Sequence, residues 1–283
     1  SIAAESWEDH LRSLLLDKKS EETAWSLLNQ FNHAFPIAYQ ERYSPDDAII
    51  DIEILVSVIQ RQRLGVNLYA YPYDDQRLLL KLYHIGKPIH LSDVMPMLEG
   101  MGLRAVSEVP FEIRVQDVPE SLWLHEFLLE TKHNVNIKFI KEKFETAFSQ
   151  LWLGHIENDH LNGLVLTAGL TWREILILRG YTRYLRQIGS LFSHNYVEFC
   201  LARYPLFAKT LIEIFLLKFD PKIERPNDEA LAEKEASLKE QLEAITNIDD
   251  DRILRRFLNL IKSTLRVNFF QKDAMGKDKH ISR

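Results

Sequence analysis

Strand-forming patterns are confined to one stretch of this chain, residues 65 to about 130, and this confinement limits the fold more than any other feature. "VNLYAY" and "RLLLKLYHI" flank "PYDDQ", a credible hairpin connection between two strands. "LSDVMPMLEGMG" then predicts a short helix, "LRAVSEVPFEIRV" predicts two short strands around Pro110, and "WLHEFLL" predicts another. These elements together predict a small, largely antiparallel sheet with helices over one face.

Helical patterns occupy the sequence on both sides of this stretch. Leucine and phenylalanine recur at helical spacing up to about residue 36, and the region from about 136 to 265 is helical almost throughout. The segment "AIIDIEILVSVI" fits both a helix and a strand. Ser44 as N-cap and Pro45 in the first turn favour the helix. The chain therefore belongs to the α+β class, with predicted boundaries of 1–47 for an N-terminal helical segment, 48–130 for the α+β module and 131–283 for a mainly helical bundle.

Charge, cysteine content and hydropathy exclude several function classes. The formal net charge of −6 argues against a general nucleic-acid-binding surface. Cys200 is the single cysteine, so an internal disulfide framework is excluded and a reducing, cytoplasmic location is expected. No apolar run approaches the length that spans a bilayer. The chain begins at a serine and ends in a polar stretch, which we interpret as a fragment of a longer protein.

The candidate site with the clearest pattern lies in "TWREILILRGYTRYLRQIG", residues 171–189. Thr171 and Glu174 form a capping box, so a helix is predicted to start here. On that helix Arg179, Arg183 and Arg186 stand at i, i+4 and i+7 and share one face. Guanidinium groups pair with oxyanions in a bidentate manner, so the three arginines could bind an anionic effector. They could equally clamp acids on a neighbouring helix or domain, and both interpretations stay open.

Other motifs are better explained by structure than by chemistry. "GMGLRA", residues 100–105, matches a dinucleotide-binding fingerprint, but the predicted helix precedes the glycines and the strand follows them, which reverses the required order. Cys200 is predicted to be a small core residue. The carboxylates at Glu243 and Asp249–Asp251 are predicted to cap helices.

"HIENDH", residues 155–160, offers His155, Glu157, Asp159 and His160 as metal ligands. On a continuous helix only His155 and Asp159 would share a face, which is too few for a typical transition-metal site. A solvated helix end is the favoured interpretation, and no metal site is predicted.

Four ordered blocks resemble the large bacterial NAD-specific glutamate dehydrogenases, the very long-chain class. These are "FPIAYQERYSPDDAIIDI" at 35–52, "KPIHLSDVMPMLEGMGLRAVSEVPFEI" at 87–113, "WREILILRGYTRYLRQIGSLFSHNYVEFCLARYPLFAKTLIEIFLLKFDP" at 172–221, and "DDDRILRRFLNLIKSTLRVNFFQ" at 249–271. The resemblance covers nearly the whole chain.

The resemblance implies that this chain is a non-catalytic N-terminal segment, with an ACT-like α/β sandwich module at 48–130 followed by the helical domain. The parent enzyme is expected to convert glutamate to 2-oxoglutarate and ammonia with NAD, while the segment itself is expected to hold no cofactor. The glycine-rich substrate loop, the catalytic lysine and the nucleotide fold of the parent enzyme are expected downstream and have no counterpart in this sequence. The implied partners are the catalytic domain of the same chain, further copies in a homo-oligomer and a small-molecule effector, with no nucleic acid and no membrane.

Two alternatives come from other classes. The chain could be a self-contained module that binds a small molecule or an anion through Arg179, Arg183 and Arg186. It could also be an enzyme with a site assembled around "HIENDH", which the residue pattern favours least.

Overall fold

The computed structural model describes residues 6–189, 191–225, 227–276 and 278. They form two compact units, and each is described by itself. The first unit is made by the described residues of Ser1–Leu98, Leu103–Ile137 and Phe148–Ile156. The second is made by those of Glu99–Gly102, Lys138–Ala147 and Glu157–Arg283. The outermost residues of the sequence, 1–5 and 279–283, lie outside the described part.

The elements follow the order that the patterns predict. The first part of the chain contains α1 (Trp7–Lys18), α2 (Glu21–Phe31), α3 (Ile37–Arg42), α4 (Pro45–Arg61), β1 (Gly65–Ala70), β2 (Arg77–Ile85), α5 (Leu91–Gly100), β3 (Leu103–Ile113) and β4 (Leu122–Thr131). The second part contains α6 (Ile137–Trp152), a 3-10 turn (His160–Gly163), α7 (Leu164–Thr167), α8 (Trp172–Gln187), α9 (His194–Arg203), α10 (Pro205–Phe219), α11 (Asp228–Glu243) and α12 (Ile248–Ser263). The α+β class is confirmed.

The sheet has the strand order β1-β2-β4-β3, and every neighbouring pair is antiparallel. Strands β2 and β3 therefore run in the same direction with β4 between them, and α5 connects them along the chain. This is a split β-α-β arrangement. The antiparallel character agrees with the hairpin pattern of the sequence.

One prediction about the strands was wrong. The stretch around Pro110 is a single strand, β3, with a register shift between Ala105 and Ser107, and Pro110 lies opposite His125 of β4. A proline lacks the N–H that a strand donates, so it is tolerated where one side of the strand is unpaired. Strand β3 is at the edge of the sheet, and this position allows the strand to continue through Pro110.

The sheet is also buried on both faces, where helices over one face were expected. Leu80 and Leu82 of β2 point to one face, and Lys81 and Tyr83 point to the other. All four side chains are buried. The second face carries Lys81, and a charged residue usually marks a face in contact with water, so the sequence of β2 predicted only one covered face.

Helix α4 forms as its cap predicts. The Ser44 hydroxyl accepts from the amide of Asp47 at 3.2 Å, the Asp47 carboxylate accepts from the amide of Ser44 at 3.0 Å, and Pro45 occupies the first turn. The helix ends at Arg61, and the next residue, Gln62, adopts the left-handed conformation with φ of 51°. The segment that fits both patterns is thus a helix, because the cap fixes its first turn.

An aromatic row forms part of the core of the first unit. The ring of Tyr39 lies 4.5 Å from that of Phe35 and 4.7 Å from that of Tyr43, centroid to centroid, and it meets Phe111 of β3 edge-on at 5.7 Å. These distances lie in the range where ring pairs stabilise beyond simple burial. The row packs α3 against the sheet.

The second unit is a helical bundle. Leu238 and Leu242 of α11 are buried, and Phe257 and Ile261 of α12 are buried as well. Within the described residues, none of the helices combines the length and apolar character needed to cross a bilayer.

Candidate functional site

Helix α8 presents the three predicted arginines in the second unit. The hydroxyl of Thr171 accepts from the amide of Glu174 at 3.2 Å, and the Glu174 carboxylate accepts from the amide of Thr171 at 2.9 Å. The capping box therefore starts the helix where the sequence predicts. The side chains of Ile175, Leu178 and Leu185 are buried along the helix.

Arg179 is buried, with 2% of its surface exposed, and is paired within the unit. Its Nε donates to Asp159 Oδ2 at 2.6 Å and its Nη2 donates to Asp159 Oδ1 at 2.9 Å. Nη2 also donates to the side-chain oxygen of Asn162 at 3.1 Å. A bidentate guanidinium–carboxylate pair of this kind is among the stronger polar contacts in proteins.

The other two arginines of the stripe differ from Arg179 in burial and pairing. Arg183 is half-buried and donates from Nη2 to Glu157, whose carboxylate also lies 3.7 Å from Nε of Arg179. Arg186 is exposed and has no hydrogen bond or ion pair within the described residues. The stripe thus runs from the buried, ion-paired Arg179 to the solvent-exposed Arg186.

The acids that pair with α8 come from "HIENDH", and their local structure orients them. Asp159 Oδ1 accepts from the amide of Leu161 at 3.0 Å and caps the 3-10 turn. The amide side chain of Asn162 donates to the Glu157 carbonyl at 2.8 Å. The arginine stripe and the acidic loop, which are two separate weak signals in the sequence, therefore form one ion-pair network in the structure.

No grouping of metal ligands is present within the described residues, so "HIENDH" offers no geometry for a metal ion there. Helix α6 ends at Trp152, and residues 155–159 are irregular before the 3-10 turn that begins at His160, so the continuous helix that the ligand spacing would need does not form. The ring of His160 stacks on Phe199 with centroids 3.9 Å apart, and His155 contacts the side chain of Gln150 at 2.9 Å.

Glu198 of α9 lies beside this network and is buried. Burial, together with the carboxylate of Asp159, raises the pKa of Glu198 to about 7, although Arg179 acts in the opposite direction. His194 Nε2 lies 2.9 Å from Glu198 Oε1. Two buried nitrogens, Nη1 of Arg179 and Nδ1 of His194, have no hydrogen-bond partner within the described residues.

The remaining sequence motifs are structural. Gly102 has φ of +79° and closes the turn after α5, so "GMGLRA" runs from helix to strand and lacks the strand-to-helix order of a dinucleotide site. Cys200 is buried, its thiol lies 3.8 Å from the Asp250 carbonyl, and burial raises its pKa to about 12. Such a thiol stays protonated and is a poor nucleophile.

The acids at Asp249–Asp251 were predicted to cap α12, and this prediction was wrong, because they lie in its first turn. The amides of Asp249 and Asp250 donate to Asn247, which supplies the cap. The buried carboxylate of Asp250 accepts from the hydroxyls of Tyr196 at 3.0 Å and Tyr204 at 2.9 Å, and from Arg203 at 3.1 Å. Asp250 thus ties α9 to α12.

A second polar network, which was not predicted from the sequence, is buried inside the first unit. The Asp51 carboxylate of α4 accepts from Lys81 Nζ at 2.7 Å, from the Tyr39 hydroxyl at 2.5 Å and from the Tyr83 hydroxyl at 2.5 Å. Lys81 Nζ also lies 3.8 Å from the centre of the Tyr43 ring, a cation–π distance. Asp51 and Lys81 are 1% and 3% exposed, so the pair is removed from water.

Glu126 of β4 extends this network next to Lys81, its partner in the sheet register. Its carboxylate accepts from Arg42 Nη2 at 2.6 Å, from the Tyr69 hydroxyl at 2.6 Å and from the Tyr43 hydroxyl. Burial alone would raise the pKa of Glu126, but these hydrogen bonds outweigh burial and hold the pKa below its usual value.

A sequence signal for this network does exist. Asp51 interrupts the apolar run "AIIDIEIL", and Lys81 interrupts "RLLLKLYHI" at a position with the parity of buried Tyr83. Either residue alone suggests a solvent-facing position. Only their pairing across α4 and β2 shows that both are inside. Donors within the unit bind both carboxylates, so the network joins α4 to β2 and Arg42 to β4.

Comparisons with protein families match the chain in four successive blocks. The model described as glutamate dehydrogenase, helical motif 2, matches residues 14–58. The ACT3 domain of glutamate dehydrogenase matches 63–141, and helical motif 3 matches 156–221. The catalytic domain of bacterial NAD-glutamate dehydrogenase matches 237–282. These blocks follow the resemblance seen in the sequence.

Curated relatives agree with the family models. The chain is 37% identical over 279 residues to the NAD-specific glutamate dehydrogenase of Halomonas elongata, and 36% identical over 284 residues to that of Pseudomonas aeruginosa, with 98% of the chain aligned in both. The NAD-specific glutamate dehydrogenase of Mycobacterium tuberculosis is 30% identical over 279 residues, with 95% of the chain aligned. The chain spans 17% of the length of each of these relatives.

Proposed function

Because this chain belongs to the family of NAD-specific glutamate dehydrogenases and spans 17% of the length of its relatives, we propose that it is a non-catalytic regulatory or assembly segment of such an enzyme. The parent enzyme oxidatively deaminates L-glutamate to 2-oxoglutarate and ammonia, and NAD accepts the hydride. The cofactor carries that chemistry, and the protein positions it.

The succession of matched modules carries this proposal. Helical motif 2, the ACT3 domain and helical motif 3 come before the stretch that matches the catalytic domain, so most of the chain corresponds to modules outside the catalytic domain. The sheet of the first unit adds support. It is antiparallel, whereas dinucleotides bind at the carboxyl ends of parallel strands.

The arginine stripe is proposed to act as a structural clamp in this segment. Support comes from the bidentate pairing of Arg179 with Asp159 and the pairing of Arg183 with Glu157. The alternative, a self-contained anion-binding module that uses the stripe, would have to displace these acids, since Arg186 is the member of the stripe without a described partner.

The proposed partners follow from the parent enzyme. They are the catalytic domain of the same chain, further copies in a homo-oligomer and a small-molecule effector, and the proposed location is the cytoplasm. Light scattering of the purified chain measures its mass in solution, and a monomeric mass at high concentration would contradict self-assembly through this segment.

A direct assay tests the catalytic silence of the segment. The purified chain is incubated with L-glutamate and NAD, and the absorbance of NADH is followed, with the Pseudomonas aeruginosa enzyme as a positive control. We expect no NADH from the chain and steady production from the control. Glutamate-dependent turnover by the chain alone would refute the proposal.

A further inference from the structure

A small cavity lies in the first unit at the point where α4 ends and β1 begins. Its volume is about 220 Å³, and it is lined by the last turn of α4, by residues 63–65 and by the end of α6. Gly65 brings β1 close to α4, since a Cβ at this position would lie 2.7 Å from Ile54 Cγ2 and 2.9 Å from Val58 Cγ2. A volume of this size is on the scale of a small organic ligand.

Two arginines supply the charge of this cavity. Arg61 and Arg63 both line it, both are exposed, and neither has a hydrogen bond or ion pair within the described residues. No carboxylate is among the described residues that line it. Elsewhere in the same unit Arg42 and Arg104 each bind a glutamate. Both guanidinium groups of this cavity are therefore without a carboxylate partner within the described residues.

The carbonyl ends of α4 and α6 reduce this positive charge without cancelling it. A helix C-terminus carries about half a negative charge, so two of them offset roughly one of the two arginine charges. The remaining charge of about +1 matches a singly charged oxyanion. A dianion would fit the cavity less well on electrostatic grounds.

The walls of the cavity add a preference for an apolar group. Ile54, Leu64, Trp152 and Leu153 contribute apolar surface, and Ser57 contributes a hydroxyl group. Small-ligand sites typically combine such apolar walls with a few polar groups that fix the orientation of the ligand. A bare inorganic anion would leave the apolar walls unused.

We propose that this cavity, named here the Arg61/Arg63 pocket, binds a small organic monocarboxylate with an apolar body. The carboxylate contacts the two guanidinium groups, and the apolar body lies against Trp152 and Leu153. The inference goes beyond the proposed function, because the pocket belongs to the first unit alone and can bind a ligand whether or not the segment is part of a dehydrogenase.

Ligand-observed NMR on the whole chain tests the pocket with three probes. 2-Oxoisovalerate carries a carboxylate and a branched apolar body, isobutyramide is a neutral analogue, and inorganic phosphate is an oxyanion without an apolar body. We expect saturation transfer to 2-oxoisovalerate and none to isobutyramide. Transfer to isobutyramide equal to that of 2-oxoisovalerate, displacement of 2-oxoisovalerate by an equal concentration of phosphate, or no transfer at tens of millimolar would overturn the proposal.

Substitutions locate the binding. Arg61→Gln combined with Arg63→Gln should weaken 2-oxoisovalerate binding about tenfold or more, because the charge-assisted hydrogen bonds are lost. Arg186→Gln on α8 removes one exposed, unpaired arginine outside the pocket and should leave the affinity unchanged. If the double variant binds 2-oxoisovalerate with the affinity of wild type, the ligand binds elsewhere and the assignment is refuted.

A third variant tests the apolar wall. Leu153 is 45% exposed, so Leu153→Asn should leave the fold intact while it removes apolar contact area. We expect weaker binding of 2-oxoisovalerate with an unchanged circular dichroism spectrum. Equal affinity in this variant would contradict the proposed orientation of the ligand. The NADH assay tests the proposed function, and the binding measurements test the pocket. Either proposal can therefore be refuted without the other.

Discussion

Arg179 shows that the role of a residue depends on its surroundings in the fold. On the helix it is one of three equivalent arginines, yet it is 2% exposed and bound to Asp159, whereas Arg186 is exposed. A buried ion pair adds little net stability compared with apolar residues of the same volume. Removing one partner, however, leaves the other charge buried without compensation, which costs about 3–5 kcal/mol.

The first prediction follows from this asymmetry. Arg179→Met should lower the free energy of unfolding of the second unit by about 3–5 kcal/mol, because Asp159 loses its bidentate partner. Urea unfolding followed by circular dichroism measures the change. The matched control, Arg186→Met, should change stability by no more than about 0.5 kcal/mol. Equal, small effects of both substitutions would contradict the clamp.

At the scale of elements, the pair of Lys81 and Asp51 joins strand β2 to helix α4 inside the first unit. The same strand carries Arg77, whose ion pairs with Asp74 and Glu130 are partly exposed. Strand β2 therefore carries one residue of a buried ion pair and one residue of a surface ion pair. The two should differ in energy, since solvent and salt screen the surface pair.

The second prediction compares these two positions. Lys81→Met should destabilise the first unit by about 3–5 kcal/mol, because Asp51 would remain buried with only its tyrosine donors. Arg77→Met should cost at most about 1 kcal/mol. Denaturant midpoints of the two variants give the comparison. A larger loss of stability in Arg77→Met than in Lys81→Met would contradict the role of the buried network in holding β2 on α4.

At the scale of the whole molecule, two buried glutamates give stability opposite dependences on pH. The pKa of Glu126 is lowered in the folded chain, so its contribution is present above the unfolded value near 4.5 and is lost as pH falls. The pKa of Glu198 is raised from 4.5 to about 7. Between these two values the folded chain binds more protons than the unfolded chain, so the Glu198 contribution falls as pH rises.

The third prediction uses Glu198→Gln, which removes that titration and leaves Asp159, Glu157, Arg179, Arg183 and His194 around the position. Wild type should lose stability relative to this variant as pH rises from about 4.5 to 7, with a constant difference above that range. Unfolding free energies at pH 5 and pH 8 measure the effect. Glu240→Gln at an exposed position of α11 is the matched control for the substitution. A difference between wild type and Glu198→Gln that does not vary with pH would refute the shift.

The sequence by itself determined the local elements. Ser44 with Asp47, and Thr171 with Glu174, fix where α4 and α8 begin, because a cap bonds backbone groups within one turn. The hairpin and the α+β class follow in the same way from patterns a few residues long. The resemblance of four ordered blocks to NAD-specific glutamate dehydrogenases was likewise seen in the sequence alone, and the curated relatives agree with it.

Only the tertiary structure decided which charges are inside. Lys81, Asp51 and Arg179 read as surface residues in the sequence, and each is buried because a partner distant in the chain neutralises it. Arg61 and Arg63 look no different in the sequence, yet they line a cavity without a partner. The environment of a charge depends on which segments fold against it, and long-range contacts of this kind leave no periodic trace in the chain.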